Sequence, residues 1–122
     1  MLKKTIKYVD FNETERTEDH YFNLTEADLI EMEAGVTGGL TEMLNGIVAA
    51  QDQAALIKFF KELILKSYGI KSADGKTHDK SEKISHTFAC SAAYSALFME
   101  LATDAEAASA FVKGIIPAKY NK

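Results

Sequence analysis

The chain has 122 residues, of which 47% are hydrophobic and 26% charged, with a formal net charge of −4. That size and balance describe one soluble globular domain, with enough chain to bury a core without staples. They exclude a transmembrane helix, since no run approaches about 18 apolar residues, and phosphate-dominated nucleic-acid binding, which needs a basic face. Cys90 is the only cysteine, so no intramolecular disulfide forms and a reducing compartment is expected. The N-terminus Met1–Asp10 has charge but no apolar h-region behind it, so it does not read as a signal peptide. The sequons at Asn12 and Asn23 carry no weight in that setting.

Residues 2–11 hold Ile6, Tyr8, Val9 and Phe11 in a strand-like setting. Residues 15–24 end in His20, Tyr21, Phe22 and Leu24, and the run Asp10–Thr14 between them offers turn residues. Together they predict a β-hairpin over about residues 2–24. Its alternation is imperfect. Ile6 and Tyr8 share one face and Val9 and Phe11 the other, which a bulge or two-sided burial near the turn would explain. Lys3, Lys4 and Lys7 are expected to face Glu15, Glu18 and Asp19, each pair contributing roughly 0.2–1 kcal/mol. Such a hairpin is marginal alone, so it must lie on the helices or on a partner.

Thr25-Glu26-Ala27-Asp28 resembles a capping box with Asp at the acidic position. It predicts a short helix to about Ala34, stopped by Gly35, and a Gly35–Gly39 loop that lacks the Gly-Lys-Ser/Thr of a P-loop. The next helix, about Leu40–Ala50, places Leu40, Leu44, Ile47 and Val48 on one side. Gly46 inside it either costs about 1 kcal/mol against Ala or admits a closely packed neighbour.

Asp52–Gly69 is the most strongly patterned stretch. Asp52 is a fitting N-cap and Gly69 a fitting left-handed stop. Leu56, Ile57, Phe59, Phe60, Leu63, Ile64 and Tyr68 form one wide stripe at about 100° per residue, so this is the expected core helix. Leu65 breaks the pattern, projecting to the other face among Lys58, Lys61 and Glu62. Lys71–Lys83, with its Asp74-Gly75 turn signal, reads as a surface loop with some extended structure, a small hairpin being the alternative. Ile84–Phe88 is ambiguous between helix and extended chain. A helix over about Ser91–Ala102 aligns Tyr94, Leu97, Phe98 and Leu101, with Cys90 continuing the stripe as a small core residue. Asp104 caps a last helix aligning Ala105, Ala108, Phe111, Val112 and Ile115, which Gly114 and Pro117 end. The tail 118–122 is expected to fray. The expected fold is mainly α with a small N-terminal β-hairpin (α+β). It has a compact bundle of about five helices in a body of about residues 25–117.

Chemistry-bearing residues do not assemble into a site. His86 and Cys90 lie one helical turn apart, but two ligands do not close a zinc site and no others stand at metal spacing. His78-Asp79 lacks a third ligand near it. Glu31 with Glu33, and Glu100 with Asp104, read as solvated helix faces. No dinucleotide-binding, nucleophile-elbow or zinc-protease motif occurs. No catalytic, cofactor or metal residue is therefore expected. The signal that leans toward a function is apolar: Leu65 and Met99 lie off their stripes, and Met43 and Met32 lie at stripe edges. Such side chains suit adaptable contact with helical or disordered proteins, so Leu65, Lys61, Met99 and Met43 are the partner-binding candidates.

Four segments, 21–34 (YFNLTEADLIEMEA), 38–48 (GGLTEMLNGIV), 61–76 (KELILKSYGIKSADGK) and 94–117 (YSALFMELATDAEAASAFVKGIIP), resemble the tail assembly chaperones of long-tailed bacteriophages, chiefly those of Gram-positive hosts. The resemblance lies in overall sequence texture and brings no motif to carry over residue by residue. It implies a non-enzymatic helper in the host cytoplasm that binds the helical, aggregation-prone tape measure protein. The helper keeps that protein soluble while tail tube subunits polymerise, and is absent from the finished tail. It also implies a longer form made by frameshifting near the end of the gene, in the stretch after Pro117. The tail tube protein and a second copy of the chain are further expected partners. The alternatives are a structural tail or head–tail component retained in the virion, and a small-ligand or enzyme domain around Cys90 and His86.

Overall fold

The structure, a computed structural model, describes residues 1–32 and 39–117. Two strands, β1 (Leu2–Val9) and β2 (Glu15–Phe22), open the chain. They pair in unbroken antiparallel register, from Leu2 opposite Phe22 to Val9 opposite Glu15. No bulge interrupts them. Leu2, Lys4, Ile6 and Tyr8 face inward, while Val9 and Phe11 are exposed, so the uneven alternation reflects an apolar outer edge and not two-sided burial. The expected lysine–acid pairing is also corrected. Lys3, Lys4 and Lys7 stand opposite Tyr21, His20 and Thr17, and Lys4 reaches across to Glu100 at 2.7 Å. Hairpin register, fixed by the turn, overrides charge matching.

The capping box forms as predicted. The Thr25 amide donates to Asp28 Oδ2 at 2.8 Å and the Asp28 amide to Thr25 Oγ1 at 3.1 Å. It starts α1 (Glu26–Met32). The expected stop at Gly35 and the glycine loop up to Gly38 fall outside the described residues. Helix α2 (Gly39–Ala50) begins one residue earlier than expected. Ile47 packs partly against the core, but Val48 is exposed; Leu40 and Leu44 fall outside the described side chains. Among the described residues a Cβ on Gly46 would meet nothing within 4 Å, so this glycine admits no close neighbour there and weakens the helix.

Helix α3 (Gln53–Ser67) is capped by Asp52, whose Oδ1 accepts the Ala55 amide at 3.0 Å. Phe59, Phe60, Leu63, Ile64 and Ser67 are buried, but Ile57, assigned to the same stripe, is half exposed. The fully buried Ser67 hydroxyl donates to the Leu63 carbonyl at 2.7 Å, which satisfies it in the core. The helix does not end on a left-handed Gly69. Tyr68 is already extended (φ −71°, ψ 139°) and begins β3 (Tyr68–Lys71). Gly69 is required for another reason. A Cβ there would lie 2.7–2.8 Å from Lys80 Cγ, the Asp79 carbonyl and His78 Nε2.

Those residues belong to β4 (His78–Asp79) and its flank, so the stretch read as a loop is a small hairpin turned by Gly75. Strand β3 pairs with β2, giving a four-stranded antiparallel sheet in the order β1-β2-β3-β4. The ambiguous stretch is helical, α4 (Glu82–Ala89), capped by Ser81. Helices α5 (Ala92–Thr103) and α6 (Ala105–Ile115) follow, capped by Ser91 and Asp104. Six helices are thus described where about five were expected, and the class is mainly helical α+β. Gly114 does not stop α6 but admits Leu2, whose Cδ1 would lie 3.0 Å from a Cβ there.

The core lies where the inner sheet face meets the second half of α3 and helices α4 to α6. Phe22 is fully buried and meets the rings of Tyr68, Phe88 and Phe111 edge-on at 5.3–5.9 Å. Tyr68 stacks on Phe88 at 3.8 Å and 4°. Among the described residues no helix is long and apolar enough to cross a membrane.

Candidate partner-binding surface

Three contacts bring α1, α3 and α4 around a common groove. Asp28, fixed by its capping box, also receives the ammonium of Lys80, which donates to the Asn23 carbonyl at 3.1 Å as well. That anchors the end of β4 to the start of α1. Ser85 Oγ donates to the Leu65 carbonyl at 3.3 Å and clips α4 to α3. Burial opposes the charge on Asp28, but the Lys80 ammonium and the Thr25 amide outweigh it, and the carboxyl is held below its ordinary range.

The groove encloses about 630 Å³. Leu24, Met32, Leu65 and Ala89 give it an apolar lining. Glu31, Lys61, Lys66 and Glu82 stand along its edges, and none of these four has an ion-pair partner among the described residues. An apolar trough between unpaired charges of both signs is suited to one face of an amphipathic helix.

Of the four partner candidates, Leu65 and Lys61 meet here. Leu65 is half-buried and packs partly against the core, rather than standing free among Lys58 and Glu62, which do not line the groove. Met99 on α5 and Met43 on α2 are exposed, at 55% and 42%, and lie on other faces. Lys66 and Lys80 were not singled out from the sequence, which touched Asp28 through the capping box and Glu31 as part of a solvated helix face. Ile84–Phe88 had to be known as a helix before α4 could supply a wall.

A second, aromatic cleft of about 560 Å³ lies under the outer half of the hairpin, between Tyr8, Glu18 and His20 on one side and Ile84 and Phe88 on the other. The Tyr8 hydroxyl donates to Glu18 Oε1 at 2.6 Å, and that hydrogen bond, with partial burial, raises its pKa. His20 Nε2 lies 3.5 Å from the same carboxylate oxygen. Beside this cleft, His78 Nε2 bonds to the Tyr21 carbonyl at 3.0 Å, while its Nδ1 is buried without a partner among the described residues. Burial pushes the imidazole pKa down.

Cys90, expected in the core, is exposed at the end of α4, because the chain turns there into the Ser91 cap and directs the stripe away from it. Its Sγ is 3.7 Å from His86 Nε2. No group among the described residues orients that imidazole, as an activated thiol would need. Nor does any group of three or more His, Cys, Asp or Glu converge among them as metal ligands would.

Over its whole length, residues 1–122, the chain matches the family model described as phage tail assembly chaperone. No curated protein and no solved structure matches it.

Proposed function

The chain belongs to the phage tail assembly chaperones, and from that premise we propose that it binds the tape measure protein through the α1–α3–α4 groove. It keeps that protein soluble in the cytoplasm of a Gram-positive host while tail tube subunits assemble, and it does so without catalysis. The observation that carries this reading is the groove itself. Met32, Leu65 and Ala89 supply apolar contact to a helix stripe, and Lys61, Lys66, Glu31 and Glu82, which have no ion-pair partner among the described residues, meet the charges flanking such a stripe. A long helical protein with repeated apolar faces is the kind of client that several copies would coat in turn. Contact with the tail tube protein follows if the chaperone hands its client over directly.

Co-expression with the tape measure protein tests the reading. Soluble yield of the client is expected to rise, and the two proteins to co-purify. Leu65→Glu, with an unchanged circular dichroism spectrum, is expected to abolish both effects. Neither gain nor co-purification with the wild-type chain would reject the proposal. Mass spectrometry of purified virions separates it from a structural role, because a chaperone is absent from the particle.

A further inference from the structure

The hairpin extends past the helices that cover its root. Ile6 and Phe22 are buried, whereas Val9 and Phe11 are 55% and 81% exposed. The turn that carries Phe11 is locked. Asp10 Oδ1 accepts the amides of Asn12 and Thr14 at 2.8 and 3.0 Å, and its other oxygen takes the Arg16 guanidinium. The Glu13 amide donates to the Asp10 carbonyl at 2.9 Å. A bare aromatic ring on a fixed turn loses little freedom on docking, which is what an anchor residue needs.

Beside this knob is a socket. The cleft under the hairpin has the stacked Tyr68–Phe88 pair as its floor, with Ile84 and the 56% exposed Ile70 at its mouth. Tyr8 lines it from the same strand that leads to Phe11. Charges divide in the same way. Glu13 and Glu15 at the tip have no ion-pair partner among the described residues, and neither do Lys71, Lys76 and Lys83 along the β3–β4 hairpin and the start of α4. The two acids at the cleft are already engaged, Glu18 by the Tyr8 hydroxyl and Asp79 by the Ser81 amide.

We infer that two copies of the chain exchange hairpin tips across a twofold axis, each Phe11 entering the other copy's aromatic cleft. Glu13 and Glu15 of one copy then face Lys71, Lys76 and Lys83 of the other. A knob, a socket and opposite charges on one surface satisfy the self-complementarity that a twofold interface demands. The arrangement covers the largest exposed aromatic group on the hairpin without any client. It therefore stands independently of what the α1–α3–α4 groove binds.

Sedimentation velocity on the full chain alone, across a concentration series, tests it. The wild-type chain is expected to dimerise. Phe11→Asp and Ile70→Glu, both at exposed positions, are each expected to weaken the dimer at least about thirtyfold with unchanged circular dichroism. Reversing Glu13 and Glu15 to Lys should weaken it too, and adding Lys76→Glu and Lys83→Glu should restore it. A wild-type monomer at every concentration, or a dimer indifferent to Phe11→Asp, would overturn the inference. So would a charge-reversed combination that stays monomeric. If the wild-type chain is monomeric and Ile70→Glu loses the client while Phe11→Asp keeps it, the cleft serves a different protein and the exchange is rejected.

Discussion

The two halves of α3 carry the same apolar spacing and meet different fates. From Phe59 onward, its inward residues are buried beneath the sheet and the helices that follow. Before Phe59, Leu56 is half-buried and Ile57 is half exposed, and the facing helix α2 leaves Met43 and Val48 open as well. Periodicity sets which side chains share a face, but a neighbouring element decides whether that face is covered. The second half of α3 therefore organises the fold, whereas the first half and α2 hold apolar surface in reserve.

Truncation should separate the halves most sharply. Phe60→Ala is expected to cost about 3–5 kcal/mol in urea denaturation, through lost burial and the cavity left behind. Ile57→Ala should cost well under about 1 kcal/mol, because half of that side chain already meets water. Equal losses would mean that α2 covers α3 as fully as the sheet does.

The glycines extend the contrast, with opposite signs. Gly69→Ala pushes a methyl group into backbone and side chain at 2.7–2.8 Å, and should destabilise by about 1–3 kcal/mol. Gly46→Ala, on α2, meets nothing among the described residues, and should stabilise by about 0.5–1 kcal/mol. Thermal melts of the two variants read both effects.

Acid should act first on the covered region. The His78 imidazole pKa is depressed by burial, so its contribution is fully present above its unfolded pKa of about 6.5 and is lost as pH falls below it. His78→Gln is expected to flatten the melting temperature as pH falls below about 6.5. Asp28, also depressed, acts later. Its contribution is complete above an unfolded pKa of about 4 and is lost as pH falls further, a loss that Asp28→Asn should remove from the profile. The smallest effect is expected at Cys90→Ala. An exposed thiol makes no core contact, so stability and client binding should both stay at wild-type values, and any loss of function would revive a reactive role for the thiol.

What could be read from the sequence was local. The caps at Thr25, Asp52 and Asp104 and the N-terminal hairpin depend on hydrogen bonds among residues close in the chain, and each forms where expected. The remainder depends on approach between distant segments. Gly69 looked like a helix stop because nothing local reveals that β4 will press against it. Lys4 looked like a hairpin partner because Glu100 is nearly a hundred residues away in sequence. Cys90 looked like core because its stripe continues across a helix break. Of the groove, Leu65 was visible as a misfit in its own helix. Its setting was not, because Met32, Lys80 and Ser85 reach it through the fold alone.

The most direct test of the account is the soluble yield of co-expressed tape measure protein with the wild-type chain and with Leu65→Glu. Wild type is expected to raise the yield and Leu65→Glu to leave it at the level of client alone, while both chains remain folded by circular dichroism. A folded Leu65→Glu chain that solubilises the client as well as wild type would contradict the assignment of the groove.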